Sequence, residues 1–230
     1  MQQSLGTLVH AIAETYPSGS FSELVGELER RWPELGLRPG WPETVARTRA
    51  RTMIDRLAQH MAASGEVLAT EARFAAEIGR ADLVGSVDRL VRQPDGSVVV
   101  EDLKTGAAGN AKDAEVNPQL GAYQVALEAG AFGDVLGVGD APVSGGARLV
   151  HVGGTSKGPS LREQPPLADA EDPGWARELV EGAATAMAAA TFTATRNSMC
   201  DFCPVRRSCP LQEEGRTMGG TTALAPPARR

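Results

Sequence analysis

Asp88, Asp102 and Lys104 are the residues whose types and spacing carry the most chemistry in this sequence. They flank a turn signal, Pro94-Asp95-Gly96, that separates two β-rich runs, one containing Gly85-Ser86-Val87-Asp88-Arg89 and the other Val98-Val99-Val100-Glu101-Asp102-Leu103-Lys104-Thr105-Gly106. A hairpin register centred on Asp95 places Asp88 opposite Asp102 and Arg89 opposite Glu101. Side chains alternate along a strand, so Asp102 and Lys104 point the same way as Asp88, with directly opposed Cβ atoms about 4.5–5.5 Å apart. Two carboxylates that close repel unless one takes up a proton or a cation lies between them, and a hard divalent ion with oxygen ligands meets that need. The competing reading is a solvated face of charged residues, common near hairpin ends. On the other face Arg89 and Glu101 form an ordinary cross-strand ion pair with a structural role.

The three cysteines, Cys200, Cys203 and Cys209, form a second cluster near the C-terminal end. An odd, clustered set argues against a disulfide scaffold. The C-x2-C spacing puts two thiolates within reach of one metal, and Cys209 can fold back as a third ligand. Zinc or an iron–sulfur cluster normally takes four protein ligands. The other reading is three reduced thiols beside a tail. Arg206 and Arg207 lie in the same loop, as a local phosphate contact or as plain solvated charge.

The elements that must position these groups follow from periodicity. Leu5, Leu8, Val9 and Ile12 recur at helical spacing after Ser4, a candidate N-cap, and His10 rides on this first helix. On an apolar helix a lone histidine reads first as a satisfied core residue. Two more helices are expected from about Ser20 to Arg31 and from about Pro42 to Ala63, the latter carrying Arg47, Arg49, Arg51 and Arg56 on a solvated face. Val67 to Ile78, Leu83 to Val91 and Val98 to Leu103 read as an antiparallel meander. A loop from Gly106 to Asn117 precedes a helix from about Pro118 to Glu128, on which Gln119 and Tyr123 share one face. Ala147 to Val152 is a further strand, Gly153 to Asp172 an exposed connection, and Trp175 to Ala190 a helix. His60 and His151 read as structural. The expected fold class is α/β, a mixed central β-sheet flanked by helices with a C-terminal cysteine-rich segment. Residues 1–211 form one domain, and 212–230 a disordered tail.

At 230 residues the chain can bury a real core, and 42% hydrophobic with 23% charged residues excludes a largely disordered or fibrous protein. Aromatic residues make up only 4%, so stacking is not the main way it holds a ligand. Lys+Arg 23 against Asp+Glu 29 leaves a net charge of −6, so any nucleic-acid contact must be local. No run approaches a membrane span, and the N-terminus lacks a basic region followed by an apolar stretch, so a cytoplasmic protein is expected. No G-x-x-x-x-G-K-[ST] phosphate loop occurs, and Gly154-Thr155-Ser156-Lys157 is not one.

An ordered set of motifs resembles the RecB family of nuclease domains in the PD-(D/E)xK superfamily. It comprises Leu5-Gly6-Thr7-Leu8-Val9-His10, Glu71 ahead of the meander, Gly85-Ser86-Val87-Asp88-Arg89, Asp102-Leu103-Lys104-Thr105-Gly106 and Gln119-Leu120-Gly121-Ala122-Tyr123. With Cys200-x2-Cys203-x5-Cys209-Pro210 the likeness reaches about residues 5 to 211, as in the nuclease domains that end the actinobacterial AdnA/AdnB helicase–nuclease subunits.

The resemblance implies a Mg²⁺- or Mn²⁺-dependent DNA nuclease, exonuclease-like, acting in DNA end processing and double-strand-break repair with an ATP-dependent helicase subunit or domain as partner. It implies a metal site made from His10, Asp88, Asp102 and the backbone carbonyl of Leu103, with Lys104 beside the attacking water. Gln119 and Tyr123 would contact substrate phosphate or orient Lys104, although a helix packing edge also accounts for them. Glu71 corresponds to a carboxylate near the family's site. In that family a fourth cysteine upstream of the histidine helix completes a [4Fe–4S] cluster. It is absent from this chain, which leads to the expectation of an N-terminally truncated, split or misassigned start. The alternative is a catalytically inactive nuclease remnant serving as a DNA-binding or assembly module, and a small zinc-binding interaction protein is a third reading.

Overall fold

The computed structural model describes residues 4–137, 142–191 and 193–216. Three helices come first: α1 (Leu5–Thr15), α2 (Phe21–Arg31) and α3 (Trp41–Ala63). Each start is encoded locally. The Ser4 hydroxyl accepts from Thr7 N at 3.1 Å, Ser20 and Glu23 form a reciprocal capping box, and α3 opens with a proline in its first turn.

Strands β1 (Glu66–Ile78), β2 (Ala81–Arg92) and β3 (Val98–Lys104) follow as the expected antiparallel meander. The β2/β3 register matches the expectation, with Arg89 opposite Glu101, Leu90 opposite Val100, Val91 opposite Val99 and Arg92 opposite Val98. The ladder stops at Arg89 and Glu101, and beyond them the two strands no longer pair. The crossover that follows carries α4 (Lys112–Glu115), α5 (Pro118–Glu128) and α6 (Gly133–Leu136). It returns to β4 (Ser144–His151), parallel to β3, and β5 (Ser160–Gln164) closes the order β1-β2-β3-β4-β5 antiparallel to β4. The sheet is therefore mixed and flanked by helices, as expected.

The side-chain alternation of β3 divides the core. Leu103, with Val150 and Val152, packs under Leu8, Ile12, Ile54 and Leu57 of α1 and α3. Val98 and Val100 face the other way, against Leu120 and Leu127 of α5 and Phe132.

Two expectations are corrected. The stretch Gly153 to Asp172 is not merely an exposed connection, because it contains β5 and buries Gln164 and Leu167. The Gln164 amide donates to the Ala114 carbonyl at 2.9 Å, tying β5 to the crossover. Arg56 does not join a solvated face. It is 7% exposed, and its guanidinium donates to the carbonyls of Val152, Gly154 and Ser156.

Residues Met1–Ala184 form one compact unit and Thr185–Arg230 a second. Helix α7 (Trp175–Met187) precedes the cysteines, and α8 (Glu213–Arg216) is a single turn within the tail expected beyond Leu211. The rest of that tail lies outside the described residues. Among the described residues no helix is long and apolar enough to cross a membrane.

Candidate metal centre and its lysine

The site occupies the fork where β2 and β3 part. With no β2 partner on that side of the strand, the Leu103 amide donates to Asp88 Oδ2 at 2.6 Å. The carboxylate thus replaces a strand in satisfying that N–H. Helix α1 brings His10 Nδ1 to 3.6 Å from the same oxygen. Across the β1/β2 ladder, Glu71 stands between the pairs Thr70–Arg89 and Ala72–Val87, and so faces Asp88. Its φ of 48° is the only positive value at a non-glycine residue among those described, a conformation that costs about 1–3 kcal/mol. Ligand atoms of His10, Glu71 and Asp88 all lie within 4.8 Å of one another.

Asp102 heads a second, adjoining group. Its Oδ1 accepts from Gln119 Nε2 at 2.9 Å and from the Tyr123 hydroxyl at 3.2 Å, and its Oδ2 lies 2.5 Å from Lys104 Nζ. Lys104 also donates to Gln119 Oε1 at 3.2 Å, and Gln119 Nε2 approaches the Tyr123 hydroxyl at 2.8 Å. Gln119 and Tyr123 are one helical turn apart, held by an N-terminus that Asn117 caps through the amides of Gln119 and Leu120. Their shared face meets the end of β3, so the reading that they orient Lys104 is the one this geometry matches.

The structure therefore divides what the hairpin register alone gathered. Asp88 meets His10 and Glu71, whereas Asp102 is held by Lys104, Gln119 and Tyr123. The two carboxylates still sense each other, since Asp88 is among the charges that raise the proton affinity of Asp102. Burial is the larger cause there, and burial followed by Asp88 likewise pushes the Glu71 carboxyl up. The neighbouring Asp88 carboxylate raises His10 above its usual range, and burial with the charge of Asp102 drives the Tyr123 phenol to about 12. Crowded carboxylates whose charged forms are disfavoured are relieved by a divalent cation. Carboxylate oxygens with one imidazole suit Mg²⁺ or Mn²⁺. The donor set fits such an ion.

Behind the site Glu101 is fully buried and does far more than pair with Arg89. Its carboxylate receives Arg89 Nε at 3.0 Å, lies 2.9 Å from His60 Nε2 and is also bound by Arg148. An acidic residue inside the apolar run Val98-Val99-Val100 was the signal for a buried network, and His60 is structural because it belongs to it. His151, read from the sequence as structural, lies near the site. It is paired with Lys104 across β3 and β4, its Nδ1 lies 3.3 Å from the Gly106 carbonyl, and its buried Nε2 has no partner among the described residues.

In the second unit, the Cys200 thiol accepts from the Asn197 amide at 3.3 Å, and Cys203 and Cys209 each close a short 3-10 turn. All three are free thiols of intermediate burial. Among the described residues they do not gather into a three-ligand set as His10, Glu71 and Asp88 do. As placed, they do not fit a four-ligand cluster.

Residues 1–210 match the model of the PD-(D/E)XK nuclease superfamily. The chain belongs to that superfamily, and a superfamily nuclease is typically metal-dependent. No curated protein matches the chain.

Proposed function

We propose that this protein is a Mg²⁺- or Mn²⁺-dependent deoxyribonuclease of the RecB type that hydrolyses phosphodiester bonds during DNA end processing and double-strand-break repair. The observation that carries the reading is the His10–Glu71–Asp88 group standing beside Asp102 and Lys104 at the fork of β2 and β3. His10, Asp88 and Asp102 would hold the ion, with the Leu103 carbonyl as a main-chain ligand and Glu71 as an additional carboxylate. Bound there, the ion would lower the pKa of a coordinated water and offset charge on the phosphate. Lys104, steadied by Asp102 and Gln119, orients the attacking water as a hydrogen-bond donor. Tyr123 stays protonated and donates to Asp102, so that carboxylate keeps its direction as charge shifts nearby.

An acidic chain does not gather DNA by its overall field, so the substrate is delivered by an ATP-driven helicase subunit or domain in the cytoplasm. The cysteines would take a [4Fe–4S] cluster only with a fourth ligand, and no catalytic step depends on them.

The test is cleavage of end-labelled single-stranded DNA with Mn²⁺ or Mg²⁺ by the intact chain, Asp88→Ala and Lys104→Ala, with folding checked for each. Loss of cutting in both variants supports the site. A folded, metal-supplied intact chain that cuts nothing sinks the enzyme reading, and cutting that survives both substitutions sinks the residue assignment.

A further inference from the structure

Arg56 is a buried cation with no carboxylate partner among the described residues. Its guanidinium is held by three main-chain carbonyls at alternate positions, Val152 O at 2.8 Å, Gly154 O at 2.6 Å and Ser156 O at 2.6 Å, while Nε has no partner among the described residues. In a trans peptide the carbonyl of one residue and the N–H of the next point in opposite directions. Turning these three carbonyls inward therefore turns the N–H groups of Gly153, Thr155 and Lys157 outward, away from α3. None of the three donates a hydrogen bond among the described residues. Each peptide dipole has its negative end on the guanidinium and its positive end at the surface, so the buried charge is relayed to three free donors.

The same loop is internally hydrogen-bonded and lies near the end of β3. Ser156 Oγ donates to the Gly158 carbonyl at 2.6 Å, closing a tight turn. Lys157 is exposed and makes no ion pair among the described residues. At its base the Val152 amide donates to the Lys104 carbonyl at 2.9 Å, and the backbone of Gly153 lies so close to Thr105 that a Cβ would meet its carbonyl at 1.8 Å. The loop thus begins beside the catalytic lysine. The Lys104 side chain also faces away from α3, toward Gln119 of α5.

We propose that the loop 153–158 is a phosphate subsite that grips the DNA backbone beside the scissile bond, through the outward amides of Gly153, Thr155 and Lys157 and the Lys157 ammonium. It rests on the nuclease reading for its ligand, but its contacts are made without the metal ligands. Arg56 acts as a positioning residue, setting the direction of the amides.

The test is equilibrium binding of a fluorescent single-stranded oligonucleotide to the full chain with Ca²⁺ in place of Mg²⁺, repeated over a range of salt. Lys157→Ala is expected to flatten the dependence of log K on log salt by about one, the contribution of a single phosphate contact, and Lys157→Glu to weaken binding further. Arg80→Glu, on the β1/β2 turn, controls for the change in net charge. In ¹⁵N-labelled protein the amide signals of Gly153, Thr155 and Lys157 should shift on titration with a short thymidine oligonucleotide. Lys157 variants that bind like Arg80→Glu, or three amides that stay still while the oligonucleotide binds, would overturn the subsite. DNA binding of the predicted form without cleavage would sink the enzyme reading and leave the subsite standing.

Discussion

Glu101 and Asp102 stand back to back on β3. One carboxylate is locked among Arg89, Arg148 and His60 toward α3, and the other faces Lys104 and α5. The strand therefore carries an anion of the buried network and an anion of the candidate site on successive residues. Replacing Glu101 with Ala would strip the buried Arg89 guanidinium of its anion and leave Arg148 only the Glu163 carboxylate at 3.7 Å. A loss of about 3–5 kcal/mol in folding stability is expected, read by urea denaturation.

Acid acts on the same network. Burial alone would raise the Glu101 carboxyl, but the hydrogen bond and charge of His60 and the charges of Arg148 and Arg89 outweigh it and hold it at about 2. A depressed folded-state pKa means the stabilisation is complete above the unfolded value near 4.5 and is lost as pH falls from there toward about 2. The amount is about 3 kcal/mol by linkage. Thermal melting of the intact chain and Glu101→Gln between pH 6 and pH 3 should converge, and parallel curves would refute the assignment.

Metal affinity should fall on acidification for a separate reason. Asp88 raises the proton affinity of His10, so protons compete for the ligand nitrogen from above its usual pKa of 6.5 downward. Mn²⁺ titration of the intact chain should weaken as pH drops through that region. His10→Ala should bind more weakly at high pH and lose that part of the slope.

On the proposed assignment Glu71 trades stability for a ligand. Glycine tolerates a φ of 48° without penalty, so Glu71→Gly should raise stability by about 1 kcal/mol in metal-free buffer while weakening Mn²⁺ binding. Glu71→Gln, which keeps the strained backbone, should weaken the metal without the backbone gain. Calorimetric titration and denaturation of both variants separate the two effects.

Lys104→Ala should lower the rate of DNA cleavage by about 10²–10⁴ while leaving DNA binding in Ca²⁺ nearly intact. Gln119→Ala, which frees the ammonium from one of its two partners, should produce a smaller loss of rate in the same assay.

The hairpin was legible because its register depends on a short turn and two β-branched runs, which are local signals. The roles of His10 and Glu71 were not written in periodicity. His10 sits on a helix whose apolar pattern says only that one face is buried, and Glu71 acts through a backbone angle that no residue type announces. They emerged from the resemblance and from the packing of α1 and β1. Strand β5 escaped notice because Ser160-Leu161-Arg162-Glu163-Gln164 has little β-branched character and holds its place through the amide of Gln164. Arg56 resembled Arg47, Arg49 and Arg51 in sequence, yet its neighbours Met53, Ile54 and Leu57 are all core residues. Only the arrival of the β4 end at α3 decides that it turns inward.

The packing of α1 also sets when the site can exist. His10 is made early, but its helix is seated in a core that includes Leu103, Val150 and Val152. During synthesis the first helix has no finished bed until the crossover has closed and β4 has emerged. A nascent chain bearing Asp88, Asp102 and Lys104 thus lacks a seated His10 until β4 (Ser144–His151) has emerged.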